Sequence, residues 1–299
     1  MITGVGGQDG SYLAERLIRE GYDVHGLALP DDPIPELAGL TVHRGDLIDA
    51  DGLHRLIVGI APHEIYNLAA MSSIAACWAQ PQRCAQVNGA AVAAVLDAAW
   101  QVQESEGRAV RVVQASSAAM FGDPGPGPLN EATRLAPVSP YGAAKAYAHL
   151  LCGTYRNRGL HCAGAILFNH ESPRRPRHFV TRKIAAGVAA IARGEAETLT
   201  LGNLDAVRDW GWAPDYVDAM IRMARAERPD DYVIATGVGH SVRDFVEAAF
   251  AAAGIDTWQH FVLVDDALRP PADSRALIGD PIRAQTELGW QITKKFDQL

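Results

Sequence analysis

Tyr141 and Lys145 lie four residues apart in the segment SPYGAAKAYAH, Ser139–His149. That spacing puts both side chains on one helical face, one turn apart. An ammonium beside a phenol favours the phenolate, so the spacing predicts a tyrosine able to move a proton nearer neutral pH. A hydroxyl pair, Ser116-Ser117, closes the apolar run Ala109–Ser117. Hydroxyls at the carboxyl end of a strand sit where an open α/β sheet binds its ligands. Each feature has a plain structural alternative. Tyrosine–lysine pairs arise by chance in many helices, and polar residues commonly close strands. What lies upstream gives the chemical reading its weight.

The elements that must position these groups begin at the first residue. Met1–Thr3 reads as the end of a buried strand. Gly4-Val5-Gly6-Gly7-Gln8-Asp9-Gly10 follows, then a helix over Ser11–Glu20 and a strand over Asp23–Ala28. Strand, glycine loop, helix and strand within about thirty residues is the setting of a dinucleotide site. Gly4, Gly7 and Gly10 permit tight turning, and the helix N-terminus offers N–H groups to a pyrophosphate. A glycine-rich turn without a ligand is the alternative. Only two residues precede Thr3, fewer than such a strand ordinarily has, so the start is expected to be displaced or trimmed.

Asp31 and Asp32 follow the second strand. An acidic residue there bonds the adenosine ribose, whereas an arginine accommodates a 2′-phosphate. With no Arg or Lys in this turn, the expected cofactor is NAD rather than NADP; two solvated turn aspartates are the alternative. Leu40–His43, His63–Leu68, Ala109–Ser117 and Leu160–Leu167 continue as strands. Asp46 follows the third and could reach the adenine. Asn67-Leu68-Ala69-Ala70 ends the fourth, where small residues let a cofactor approach. Gln86–Ala99 reads as an alanine-rich helix carrying Asn88 on an apolar face.

The composition is that of a globular chain with a sizeable core: 299 residues, 48% hydrophobic and 21% charged. A net charge of −8 argues against nucleic acid or an anionic membrane as main partner. Cys77, Cys84, Cys152 and Cys162 show no metal spacing and no disulfide framework, so reduced, buried thiols in a cytoplasmic protein are expected. No run of transmembrane length is present.

The second half changes character at Phe168–Lys183, FNHESPRRPRHFVTRK, which holds five arginines and lysines in sixteen residues. A basic cluster in an acidic protein suggests a diphosphate site; a solvated charged loop is the alternative. Beyond it the pattern predicts a helix over Ile184–Arg193, a strand over Thr198–Leu204, a turn at Arg208–Gly211 and a helix over Asp215–Glu227. A strand over Asp231–Ala235 is expected to return to the main sheet. Helices over Ser241–Ala253 and Ala284–Trp290 follow. The fold class is α/β: a doubly wound parallel Rossmann sheet over residues 1–168, and a smaller α/β C-terminal substrate domain over 169–299.

Glycine loop, strand-end serines and Tyr-x-x-x-Lys in this order form the Ser–Tyr–Lys set of short-chain dehydrogenases. In that set Ser117 orients a substrate hydroxyl, Tyr141 moves its proton, and Lys145 holds the nicotinamide ribose and tunes the tyrosine. TGVGGQDGSYLAE, NLAAMSS, SPYGAAKAYAH, LFNHESPRR with HFVTRK, and LGNLDAVRDWG take the likeness further. Over nearly its whole length the chain resembles the GDP-mannose 4,6-dehydratases. The resemblance implies that Gly4, Gly7, Gln8, Asp9 and Gly10 hold the cofactor pyrophosphate. It implies that Asp46, Leu47 and Leu68 through Ala69, Ala70 and Ser72 line adenine and ribose, and that His170 and Arg175 reach the cofactor from the second half. Asn169, Val180, Lys183, Arg208 and Arg269 would surround the GDP-sugar, with Asp273 at its ribose. No metal is implied.

The family reaction, as the resemblance implies it, moves hydride from hexose C4 to a bound nicotinamide while the tyrosine takes the hydroxyl proton. A glutamate two residues after the key Ser/Thr then removes the C5 proton and helps expel the C6 hydroxyl. Hydride returns to C6. This chain departs at that glutamate: Ala115-Ser116-Ser117-Ala118-Ala119 places alanine at 119. A positioned acid or base is worth about 10²–10⁴-fold, so elimination is expected to be crippled unless another group substitutes, Glu131 being a nearby candidate. The family's arginine pair after strand two is also absent and its loop shorter, which implies an NAD-preferring homodimer. Three readings stand: a dehydratase with an altered proton carrier, a GDP-hexose 4-epimerase or 4-keto reductase, and a non-catalytic GDP-sugar binder.

Overall fold

The computed structural model describes residues 1–34, 36–123, 125, 127–268 and 276–299. In chain order the strands are β1 Ile2–Thr3, β2 Val24–Ala28, β3 Leu40–Arg44, β4 Glu64–Asn67, β5 Arg111–Ser117, β6 His161–Leu167 and β7 Asn169–Glu171. They continue with β8 Leu199–Leu201, β9 Val207–Trp212, β10 Asp231–Ile234, β11 Gly239–Ser241, β12 Val262–Val264 and β13 Ala276–Leu277. The helices are α1 Gln8–Arg19, α2 Ala50–Ile60, α3 Ile74–Ala79, α4 Pro81–Ala85, α5 Ala91–Glu106, α6 Pro140–Arg158, α7 Val180–Ala192, α8 Ala213–Arg225, α9 Val242–Ala252 and α10 Ile282–Leu288.

Seven strands form one sheet in the order β10-β6-β5-β4-β1-β2-β3. Every pairing in it is parallel. A parallel sheet is covered on both faces, which explains why its strands are near-continuous apolar runs. On one face Leu13, Leu17, Tyr216 and Met220 of α1 and α8 pack on Ile2, Val113 and Ala165. On the other, Leu53 and Ile57 of α2, Val95 and Leu96 of α5, and Ala148 and Cys152 of α6 pack on Ile65 and Val112. The strand order reverses between β1 and β4. Open α/β sheets bind ligands at such a point, outside the carboxyl ends of the strands. The glycine loop, Leu68–Ser72 and Ser117 all emerge there. The later residues build β11-β9-β13 with β7 beside β9, and a separate β12-β8 pair. Among the described residues no helix is long and apolar enough to cross a membrane.

Several boundaries differ from the sequence expectation. The first helix begins at Gln8, three residues early, with Gly7 as its N-cap. Gly10 therefore lies inside it, where a Cβ would stand 2.2 Å from the Gly4 carbonyl oxygen. Arg208–Gly211 is a strand and not a turn: it lies within β9, paired with β11, β13 and β7. Its Asp-Trp-Gly sequence looks like a turn because local propensity is overruled by tertiary pairing. Asp209, fully buried, accepts from the backbone N–H of Thr236, Gly237 and Gly279 and draws three chain segments together. The helix expected from Gln86 opens with one π-helical turn, Gln86–Ala90, before α5. The last helix is Ile282–Leu288, ended by Gly289 in the left-handed conformation.

Candidate active site

Helix α6 is started by Ser139, whose hydroxyl accepts from the Gly142 N–H at 3.1 Å, with Pro140 in its first turn. This cap fixes where Tyr141 and Lys145 point. Both line a cavity of about 260 Å³ together with Ser117 at the end of β5. Lys145 is 3% exposed, and its Nζ donates to the Ala115 carbonyl at 2.7 Å. It also lies 5.9 Å from the centre of the Tyr141 ring. Burial pushes the lysine down to about 8, because a buried ammonium loses hydration.

Tyr141 corrects an expectation. Burial raises the phenol above its ordinary value, and neither its hydrogen bond with Ser117 nor the Arg175 charge brings it back. The ammonium does not pull it toward neutrality. At neutral pH Tyr141 holds its proton. Ser117 Oγ also accepts from the Ala119 N–H at 3.2 Å.

Ala119 lines the same cavity. Glu131 does not: its Oε1 accepts from the Val233 N–H at 2.7 Å, so the carboxylate is committed to the backbone of β10. Among the described residues, Asp9 is the one carboxylate lining the Tyr141 chamber.

A second cavity of about 440 Å³ runs along the glycine loop. Gly4, Gly7, Gln8, Asp9, Gly10, Asp46, Leu47, Leu68, Ala69, Ala70 and Ser72 all line it. It adjoins the first through shared residues, among them Asp9, Leu68, Ser72 and Arg175. Gly4 has φ +71°, and a Cβ there would meet the Ala69 backbone at 2.9 Å. The close approach of loop to β4 therefore requires glycine. Thr3 joins the two: its Oγ1 accepts from the N–H of Leu68 and Ala69, each at 3.1 Å, and donates to Asn67 Oδ1 at 2.6 Å. Backbone stripped of side chains beside a helix N-terminus fits a dinucleotide pyrophosphate.

Asp32, not Asp31, lines this cleft. Asp31 stands one residue earlier in the turn and outside the lining. Asp46 is paired with Arg83 at 2.8 Å.

The basic segment of the second half reaches back onto the glycine loop. His170 Nε2 lies 2.8 Å from Asp9 Oδ2 and Nδ1 lies 2.7 Å from the Phe168 carbonyl, so both nitrogens donate and the ring is an imidazolium. Burial alone would lower its pKa; the Asp9 charge and hydrogen bond outweigh burial and hold it raised. The converse holds for Asp9, which is lowered although burial opposes it. Gln8 donates to the His170 carbonyl and accepts from Ser172 Oγ. Arg174 bonds Ser11 and Glu15 and stacks on Tyr12. The side chains of Gln8 and Asp9 are thus spent on the second half, leaving the backbone of the loop to the cleft. Arg175, against Glu171 at 3.3 Å and over the Phe179 ring, lines both cavities.

Of the residues that the resemblance assigns to the sugar nucleotide, Asn169 and Arg208 line the Tyr141 chamber. Val180 and Lys183 lie in the first turns of α7, outside the lining, with Val180 against the core formed by α7 and α9. Arg269 and Asp273 lie outside the described residues. Sequence reasoning did not find Thr3, Ser172 or Arg83. Thr3 had a signal, a hydroxyl immediately before the glycine run; Arg83 had none.

The sequence matches the family model for GDP-mannose 4,6 dehydratase over residues 1–299. It is 42% identical over 314 residues to GDP-mannose 4,6 dehydratase 2 of Arabidopsis thaliana, covering 100% of this chain and 84% of that protein. It is 40% identical over 330 residues to GDP-mannose 4,6 dehydratase of Homo sapiens, covering 100% and 88%. The fold resembles UDP-glucose 4-epimerase of Thermus thermophilus in complex with NAD, with a TM-score of 0.85 at 25% identity over 99% of this chain and 94% of that one.

Proposed function

The chain belongs to the GDP-mannose 4,6-dehydratase family, and from that premise we propose a nucleotide-sugar enzyme that performs redox chemistry at C4 of a GDP-hexose. The observation that carries this reading is the convergence of Ser117, Tyr141 and Lys145 on one cavity that Ala119 also lines. The cofactor is a nicotinamide dinucleotide, NAD in preference to NADP, held by the glycine loop; when bound it supplies the hydride acceptor and donor.

The protein's own groups do the proton chemistry. Ser117 Oγ and Tyr141 Oη hold the C4 oxygen between them. Tyr141 gives its proton to a C4 ketone oxygen as that carbon is reduced, and takes the proton of the C4 hydroxyl in the reverse direction. Burial raises the Tyr141 phenol above its ordinary value, so the proton is in place for this step at neutral pH. Lys145 places a positive charge beside the ring, its own ammonium held in place by the Ala115 carbonyl. Asn169 and Arg208 flank the sugar nucleotide. Among the described residues that line the chamber, removal of the C5 proton has no such group: the side chain at 119 is a methyl, and Asp9 is bound to His170. Dehydration is therefore slow, by about 10²–10⁴-fold relative to a site with a positioned carboxylate.

The same observation favours a 4-epimerase or 4-keto reductase as second reading, since neither needs a base at C5. We further propose a homodimer joined through α6, where Tyr147 and Leu150 are 51% and 62% exposed on one stripe, in the cytoplasm, where four buried free thiols stay reduced. Incubation with GDP-mannose and NAD(H), read by proton NMR, tests the chemistry. A changed C4 coupling without a C6 methyl supports the epimerase. Consumption of reduced cofactor by a 4-keto sugar supports the reductase. Rapid methyl formation returns the enzyme to the lyases, and bound but unchanged sugar leaves a binding protein.

A further inference from the structure

Two residues of the motifs above take no part in the chemistry described so far. One is Ser116, the first of the strand-end hydroxyls; the other is His149, which closes the segment SPYGAAKAYAH. The structure joins them. His149 follows Tyr141 and Lys145 at the same four-residue interval, so the three share one stripe of α6. Each is tied to a different one of three consecutive residues of β5. Tyr141 bonds Ser117, Lys145 Nζ donates to the Ala115 carbonyl at 2.7 Å, and His149 Nδ1 lies 3.1 Å from Ser116 Oγ. Unlike the other two, His149 lies outside the lining of both cavities.

Room for the third tie is made by a glycine. A Cβ at Gly164 of β6 would stand 3.0 Å from His149 Nδ1 and 2.2 Å from Asp231 Oδ1. On the far side of the ring, Nε2 faces Asp231 Oδ2 of β10 at 3.7 Å. That carboxylate is gripped by Arg156, two turns further along α6, at 2.5 and 3.1 Å. Burial and the Arg156 charge lower His149 against the pull of Asp231, so the ring is neutral at pH 7. In the neutral ring the Ser116 hydroxyl donates to Nδ1 and the Nε2–H faces Asp231. Serine, histidine and aspartate are also the parts of a hydrolytic nucleophile, but 3.7 Å exceeds a hydrogen bond and Ser116 is only 3% exposed. We propose that His149 is a positioning residue for proton transfer: through Ser116 it locks α6 onto β5, and so sets the depth of Lys145 and the approach of Tyr141 to Ser117. The inference rests on the reading of Ser117, Tyr141 and Lys145 given above and adds the part that holds them in register.

NMR titration of the protein labelled with ¹³C at lysine Cε tests this without turnover. The chain has four lysines, and Lys145→Met assigns the signal. Cys77, Cys84, Cys152 and Tyr141 face Lys145; the variants leave all of them in place, so a moved titration reads the hydration of the ammonium. The wild type should titrate near 8. His149→Phe fills the space of the ring without its nitrogens, and Lys145 should move up toward the ordinary lysine value, about 10.4, as the loosened helix admits water. His149→Asn puts an oxygen near the Nδ1 position, keeps the Ser116 bond and should titrate as the wild type does. His149→Gln reaches only the Nε2 position and should follow the phenylalanine variant. In single turnover of GDP-mannose, or of a 4-keto sugar with reduced cofactor, His149→Phe should lower kcat by about 10²-fold, the effect of a misplacement of about 1 Å, with KM unchanged and His149→Asn recovering most of the loss. A Lys145 titration unmoved in His149→Phe would overturn the proposal, and so would Asn and Gln variants that behave alike, which would make His149 merely structural. If the titrations separate as expected but the wild type turns over no sugar, the functional reading falls and the brace stands. If the wild type turns over and kcat ignores His149, only the brace falls.

Discussion

Replacing His170 by phenylalanine removes the latch between the glycine loop and the second half while keeping a ring over Tyr216, which stacks on His170 at 4.4 Å. The loss can be sized from the geometry. Breaking a buried pair by deleting one partner costs about 3–5 kcal/mol, because the other charge is left uncompensated. Asp9 retains the Gln8 amide at 3.1 Å, and its side chain is 18% exposed, which places the expected loss near the lower figure, about 3 kcal/mol. For a chain of 299 residues, at about 2.1 cal/mol/K of unfolding entropy per residue, that is a fall of roughly 5 °C in melting temperature. The pH dependence has a defined sign. The folded-state value of His170 is raised, so its contribution is complete below about pH 6.5 and fades as pH climbs through the raised value. That of Asp9 is lowered, so its contribution is present above about pH 4 and is lost as pH falls through the lowered value. The gap between wild type and variant in urea denaturation should therefore be widest between about pH 4 and 6.5. Adding Asp9→Asn to the variant should restore part of the stability by removing the stranded charge. A variant as stable as the wild type across this window, or a double variant worse than the sum of the singles, would refute the ion-pair reasoning.

Other consequences follow from the chamber. Tyr141→Phe should lower C4 redox turnover by about 10²–10⁴-fold while calorimetry shows GDP-mannose binding unchanged; a loss under about tenfold would remove Tyr141 from proton transfer. Lys145 sheds its proton near pH 8, so kcat/KM should fall above that pH, and a profile flat up to about pH 10, the ordinary lysine range, would show that its charge is not used. Ala119→Glu points a carboxylate into the cavity that already holds Ser117 and Tyr141. It should raise C6 methyl formation by about 10²-fold or more, and no gain would show that the chamber lacks more than this one group.

The sequence carried the local devices and lost the distant ones. Gly4, Gly7, Gly10 and the Tyr141–Lys145 pair are legible because backbone permission and helical spacing are properties of a few adjacent residues. Asp9 and His170 are 161 positions apart, and nothing in either neighbourhood announces the pairing. Gln8 and Asp9, which the resemblance assigns to the cofactor, line the cleft, and their side chains also reach His170 and Ser172, a link that the loop's sequence does not announce. Arg44 carried no signal, since the two carbonyls it donates to, those of Leu29 and Asp32, come within reach only through the β2–β3 register. The same holds for β9: Asp209 looks like a turn residue until three N–H groups from other segments converge on it. Residues 50–60, a helix with only Leu53 and Ile57 fully inward, offered too short an apolar stripe to stand out. The phenol of Tyr141 shows the other limit. Spacing places the ammonium near the ring, but the balance between charge and desolvation depends on burial that spacing does not express.

The most direct test of C4 redox without elimination is a single turnover with GDP-mannose deuterated at C4, measured by mass spectrometry of cofactor and sugar. The expected result is deuterium on the nicotinamide in the wild type, none in Tyr141→Phe, and methyl formation lagging far behind label transfer. An unlabelled cofactor with GDP-mannose bound, or label reaching a C6 methyl as fast as it leaves C4, would contradict it.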